Sequence, residues 1–321
     1  MTAPSPLSLF ARLRDLPART ALRATNLPRI RRALAVRHAA ALARHRPHLP
    51  ELVGIDLDVL AGLRRDGVFV TSLQALALPG SAALLRSGQA MAAGFAGEAR
   101  RRVAAGSDFN VVPPGPLMAD PSLFAWGLGD RLLALAESYL ELPVAYDGAS
   151  VNYTVADGRE VSTRRWHRDW EDRRMLKVAV YLNDVGHGGG PFQMVRRADA
   201  VQTDRLGFSY DLATDEELRR KLGAAFQDDV LSCEGPAGTV VFTDTAGFYH
   251  RGKPATDRDR GAAFFSYFAR TPRHPFLCER SGLSRRQIAR LCVGLTDKQR
   301  DAALWRRSLP LLVRLIPPAS I

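Results

Sequence analysis

Residues 176–195 read Leu-Lys-Val-Ala-Val-Tyr-Leu-Asn-Asp-Val-Gly-His-Gly-Gly-Gly-Pro-Phe-Gln-Met-Val. An apolar run with β-branched residues, 176–183, is followed by a glycine-rich turn and a second run, 191–195. Such runs, bounded by Asp, Gly and Pro, read as two strands joined by a turn. The pattern continues on both sides. Candidate strands lie at 144–155, 163–169, 176–183, 191–195, 228–233, 239–243 and 261–269. A series of short strands with turn signals between them predicts a sandwich or barrel over about 144–270. Gly188-Gly189-Gly190 is followed by neither a helix nor Lys-Ser/Thr, so it reads as a hairpin and not a phosphate loop, with His187 exposed in it.

Outside that block the sequence is helical. Residues 7–46 read as short helices punctuated by Pro17, Pro28 and Pro47, with a longer one over 28–45. Further helices are expected at 50–66, 79–105 and 121–140, with a strand at Gly67-Val68-Phe69-Val70 and a loop at Pro113-Pro114-Gly115-Pro116. A polar helical insertion over 214–226 carries Thr214 and Glu217 at capping-box spacing. The tail, 284–316, returns to helix behind Ser284. Three units follow: a basic extension (1–50), a central domain (51–275) and a helical tail (276–321).

Charge is unevenly spread. The chain of 321 residues has a formal net charge of +12, and residues 1–50 hold ten Arg and one acid, Asp15. The body is therefore near neutral. The arm reads first as a solvated helical extension, then as a surface for anionic membrane or an acidic partner. Without aromatic interleaving it is a poor nucleic-acid surface. Three cysteines, Cys233, Cys278 and Cys292, lack metal spacing and fit a reducing, cytoplasmic compartment, and Cys233 reads as core. No apolar run is long enough to span a bilayer.

Chemistry concentrates at Trp166-His167-Arg168-Asp169-Trp170. In an extended segment residues i and i+2 share a side, so His167 and Asp169 present an imidazole and a carboxylate together. His250 follows the apolar strand Thr239–Phe242 and the turn Asp244–Gly247, a good position for a third ligand. A His250 paired with Asp244 is the alternative. Two His and one carboxylate on one face of an octahedron are the ligand set of non-haem Fe(II) oxygenases. Arg260 opens the strand 261–269, and an inward Arg there calls for an anion. Arg258, two residues earlier, competes for that role, although Asp257 and Asp259 make its surroundings look solvated.

His167-Arg168-Asp169, Tyr181-Leu182-Asn183-Asp184-Val185, Gly190-Pro191-Phe192-Gln193-Met194-Val195, His250-Arg251-Gly252 and Arg260 together resemble the phytanoyl-CoA dioxygenase family of Fe(II)- and 2-oxoglutarate-dependent oxygenases. The similarity spans about 55–270, from Leu63-Arg64-Arg65-Asp66-Gly67 onward. It implies a double-stranded β-helix core (jelly roll, cupin-like) flanked by N- and C-terminal helices in an α+β chain. It also implies Fe(II) held by His167, Asp169 and His250, the 2-oxoglutarate C5 carboxylate held by Arg260, and O2 as oxidant. Related halogenating enzymes lack the carboxylate, so Asp169 favours hydroxylation, or less often desaturation or ring closure, over halogenation. The family's Gly-Ser-His after the 191–195 strand is replaced here by Arg196-Arg197-Ala198-Asp199, which puts substrate contacts of that loop in doubt.

Asn152, Lys177, Thr245 and Ser266 are secondary candidates for cofactor contact. Each has a structural alternative, Lys177 that of a solvated edge-strand residue. Arg164, Arg165, Arg168, Arg173 and Arg174 ring the motif, answered by Glu160, Asp169, Glu171 and Asp172. They read as a solvated ion-pair network or as a mouth for an anionic substrate, small or lipid-like. A metal- or ligand-binding jelly roll without turnover is the alternative to an enzyme.

Overall fold

The β-branched runs pair into two antiparallel sheets in the computed structural model, which describes residues 6–196 and 212–319. The larger sheet runs in the order β1 (Val68–Ser72), β6 (Thr239–Asp244), β3 (Leu176–Tyr181), β8 (Arg260–Ala269), β2 (Val144–Thr154). The smaller runs β5 (Val230–Cys233), β4 (Phe192–Val195), β7 (His250–Gly252). A bridge between His167 and His250 adds the 166–167 segment beside β7. From β2 onward the chain alternates between the sheets, with one within-sheet step from β4 to β5. This is a double-stranded β-helix, the jelly roll.

Side-chain alternation along β3 explains how the layers form. Val178 and Val180 face the helices, where Leu63, Phe95, Leu133 and Phe265 complete the main core. Ala179 and Tyr181 face the smaller sheet, meeting Phe192, Met194, Val241 and Ala262. Period two then sends Lys177 into the space between the sheets.

The helices are α1 (Pro6–Asn26), α2 (Pro28–His45), α3 (Ile55–Asp66), α4 (Leu73–Leu76), α5 (Ser81–Ala104), α6 (Pro114–Ala119), α7 (Ser122–Gly127) and α8 (Asp130–Leu140), followed after the strands begin by α9 (Asp215–Leu222), α10 (Arg285–Leu291), α11 (Asp297–Ala303) and α12 (Leu311–Arg314). α9 carries the expected capping box, Thr214 with Glu217. The Trp305 ring stands edge-on to Phe268, 5.0 Å away, and so ties the tail to β8. Buried Ala18 and Leu22 of α1 pack with Phe276, Leu277 and Ala319, so the two ends of the chain meet.

Several expectations are corrected. The 163–169 segment is not a strand; it is a 3-10 turn, Ser162–Arg164, followed by single bridges at Trp166 and His167. α1 runs through Pro17, which removes only one helix bond while the helix is held by tertiary packing. Pro113–Pro116 is not simply a loop, since Pro114 opens α6, where its missing N–H is no loss. The 121–140 helix breaks at Leu128-Gly129, and the tail is three short helices. Lys177 is no edge residue: β3 lies between β6 and β8. The faces of Arg197, Ala198 and Asp199 lie outside the described residues.

Candidate metal centre

β7 and the 166–169 segment lie side by side, so period two on each aims its ligands into one space. The ligating atoms of His167, Asp169 and His250 fall within 4.8 Å of one another, and all three residues are buried. The His167 N–H donates to His250 O at 3.0 Å, and the Asp169 N–H to Thr245 O at 2.8 Å, so backbone bonds fix the ligand positions.

Each ring is also set in its tautomer. His167 Nδ1 lies 2.7 Å from Arg165 O, and His250 Nδ1 lies 3.2 Å from Phe248 O. A carbonyl only accepts, so Nδ1 carries the proton and the neutral ring has its lone pair on Nε2. Burial pushes both histidines below their ordinary range, His250 furthest. Neutral imidazole is the form that binds a metal. Asp244 is not His250's partner; it accepts from Tyr139 Oη at 2.6 Å and from the N–H groups of Met175, Ala246 and Gly247.

Burial alone would raise the Asp169 carboxyl, but the charge and hydrogen bond of Lys177 outweigh it and hold the group well below the usual carboxylate range. Lys177 Nζ donates to Asp169 Oδ2 at 2.5 Å. Glu171, also buried, is raised by burial and by the Asp169 charge. It accepts from the Trp170 N–H and lies 3.5 Å from Arg280 Nε.

A cavity of about 510 Å³ opens over this centre. Arg260, Asn152, Lys177, Thr245 and Ser266 all line it with the three ligands. Arg260 is buried and donates to Gly190 O and, at 3.2 Å, to Thr154 Oγ1. No carboxylate meets it among the described residues, and burial weighs against its charge. Arg258 is exposed and does not line the cavity. A Cβ on Gly252 would come within 2.8 Å of Arg260 Nη2, so the His-Arg-Gly pattern leaves room for the guanidinium. Thr245 Oγ1 is buried with no hydrogen-bond partner among the described residues. A three-donor cluster, a buried cation lacking an anion and an orphaned hydroxyl in one cavity fit a metal with an anionic co-ligand.

Of the five rim arginines only Arg164 lines the cavity, and it is paired with Asp157. Arg174 is spread over Tyr139 and Glu141. Cys233 is buried core and His187 is exposed.

Several residues have no site role assigned from the sequence, where Glu171 reads only as a counter-charge to the rim arginines and Arg251 only as part of His250-Arg251-Gly252. Glu171 continues the alternation of His167 and Asp169, a signal the i, i+2 rule offers. Asp147 lines the cavity, accepts from the Glu279 and Arg280 N–H groups, and is pushed by burial up to about 7. Arg280 comes from the tail, beyond the stretch carrying the resemblance. Arg251 is buried, stacks 4.3 Å from the Trp166 ring and binds Gln193 and Asp215, holding α9 against the β7 side of the site. No local pattern reveals those three.

No protein-family model and no curated protein matches the chain. Among solved structures, EctD from S. alaskensis with bound Fe is similar at a TM-score of 0.45 and 20% identity, over 70% of this chain and 84% of that one. HygX from Streptomyces hygroscopicus with nickel and 2-oxoglutarate gives 0.42 and 17%, over 68% and 88%. The α-ketoglutarate-dependent epimerase SnoN from nogalamycin biosynthesis gives 0.41 and 17%, over 68% and 82%. Likenesses of this size do not transfer an activity.

Proposed function

We propose that the chain is an Fe(II)- and 2-oxoglutarate-dependent oxygenase of the phytanoyl-CoA dioxygenase type that hydroxylates an unactivated C–H bond of a small molecule. The observation that carries this reading is the shared cavity, in which the buried His167–Asp169–His250 cluster meets Arg260, a buried guanidinium without a carboxylate partner among the described residues. Iron, 2-oxoglutarate and O2 together supply a two-electron oxidation at carbon, with succinate and CO2 as coproducts.

The chain's own residues have definite tasks in this reading. His167 and His250 offer Nε2, and Asp169 an oxygen. Lys177 donates to Asp169 Oδ2 and balances the carboxylate charge, a place a bound metal would contest. Arg260 and Thr154 receive the C5 carboxylate of 2-oxoglutarate, and Thr245 Oγ offers a further hydrogen bond. Asn152 and Ser266 stand on the larger sheet at the cavity wall and bound the space left for substrate.

The test is binding and turnover together. Metal-loaded protein should bind 2-oxoglutarate and form succinate when given substrate, and His167→Ala should bind no metal at the centre. Full metal binding by His167→Ala would sink the assignment. Metal binding without any 2-oxoglutarate binding would instead support a non-catalytic ligand-binding jelly roll.

A further inference from the structure

A second feature lies far along the chain from the metal centre. α12 and the residue after it expose Leu311 (68%), Leu312 (80%) and Leu315 (71%). Single exposed leucines are ordinary, but three within five residues form a contiguous apolar patch that calls for a cover. Leu311 and Leu315 also edge a cavity of about 330 Å³ floored by Ile288 and Trp305.

The charges around this patch are almost all of one sign. Glu279 lines the cavity but is taken by Arg285 at 2.7 Å and by Arg306 at 3.2 Å. Arg307 and Arg314 line it too, are exposed, and meet no carboxylate among the described residues. Beyond α12, Ile316 and Ala319 return to α1, whose Ala18 and Leu22 they cover. α1 leads to α2, an 18-residue helix with five Arg, no acid and no buried residue. Leu27, Ile30 and Val36 are exposed on or beside it.

We propose that α12, with Arg307 and Arg314, is a docking face for an anionic phospholipid bilayer. Guanidinium groups match lipid phosphate bidentately, and short apolar side chains between them can enter the acyl boundary. A protein partner would need acidic groups opposite each arginine and a groove for the leucines. A bilayer with anionic headgroups supplies both chemistries at once, over any geometry of the face. No described helix is long and apolar enough to cross a membrane, so the contact is peripheral.

The test uses the full chain and co-sedimentation with vesicles of phosphatidylcholine alone or of an equimolar phosphatidylcholine–phosphatidylglycerol mixture. Wild type should sediment with the mixed vesicles, not with phosphatidylcholine alone, and raised salt should release it. The variant Leu311→Ser/Leu312→Ser/Leu315→Ser should partition at least about tenfold more weakly, as should Arg307→Gln/Arg314→Gln. These side chains are exposed, so both variants should melt with wild type, which separates lost docking from lost folding. Wild type remaining in the supernatant with both vesicle types would overturn the proposal. So would a leucine variant that binds as wild type does, or one that converts a wild-type dimer to monomer, which would make a second copy the occupant.

Discussion

Lys177→Met removes a partly buried ammonium and keeps an unbranched chain of similar length. In the metal-free protein the Asp169 carboxylate would lose its 2.5 Å partner while staying buried, with its side chain only 6% exposed. Breaking a buried pair from one side costs about 3–5 kcal/mol. Lys177 is a quarter exposed, so the lower end, about 3 kcal/mol, is expected. A divalent cation bound by His167, Asp169 and His250 would replace the lost charge. With metal saturating, the variant should trail wild type by only about 1 kcal/mol. The difference of about 2 kcal/mol is linked to affinity, so Lys177→Met should bind a divalent metal roughly thirtyfold more tightly than wild type. Urea denaturation with and without metal reads the first quantity, and titration of apo-protein with a redox-stable divalent ion reads the second. A variant as stable as wild type without metal, or one that binds metal more weakly, would refute the competition between ammonium and metal for Asp169.

Arg260→Met should weaken 2-oxoglutarate binding by at least about thirtyfold, the loss of one charge-assisted hydrogen-bonding partner, while exposed Arg258→Met should leave it unchanged in calorimetry. His274 is lowered, chiefly by burial, from 6.5 to about 4, so its contribution to stability is intact above 6.5 and is lost as pH falls toward 4. That amounts to about 3 kcal/mol. His274→Asn should remove this acid-side loss when urea midpoints at about pH 7 and about pH 4.5 are compared with wild type, the comparison cancelling the opposite slope of Asp172, which burial raises to about 6. Gly67 closes α3 with φ +74°, and a Cβ there would lie 2.4 Å from the Phe248 ring. Gly67→Ala should therefore cost about 2 kcal/mol or more from left-handed strain and overpacking, read as a lowered Tm. It should also weaken metal binding, because the Phe248 carbonyl orients His250.

What the sequence makes legible here is what period and punctuation control. The strands β1 to β6 and β8 follow from β-branched runs, and the α9 cap from Thr214 and Glu217. The alternation of His167 with Asp169 is equally local, and it operates although the segment is barely a strand. What local pattern does not carry is which residue stands across the space. Lys177 looks like an edge lysine because its neighbours along the chain are apolar. Only the register of β3 between β6 and β8, set by residues some sixty to ninety positions later, makes it central. β7, with three residues, is too short for any periodicity, and Arg280 enters the cavity from a tail whose own pattern is helical. The rim arginines show the same limit from the other side. Five positive charges near one motif suggest a common target, yet Arg164 goes to Asp157, Arg174 to Glu141, and Arg168 lies over the Tyr249 ring. A cluster in sequence is thus dispersed by a chain that turns every few residues. Arg260, isolated in sequence from the motif by about ninety positions, is brought into the motif's cavity by the closure of the sheets.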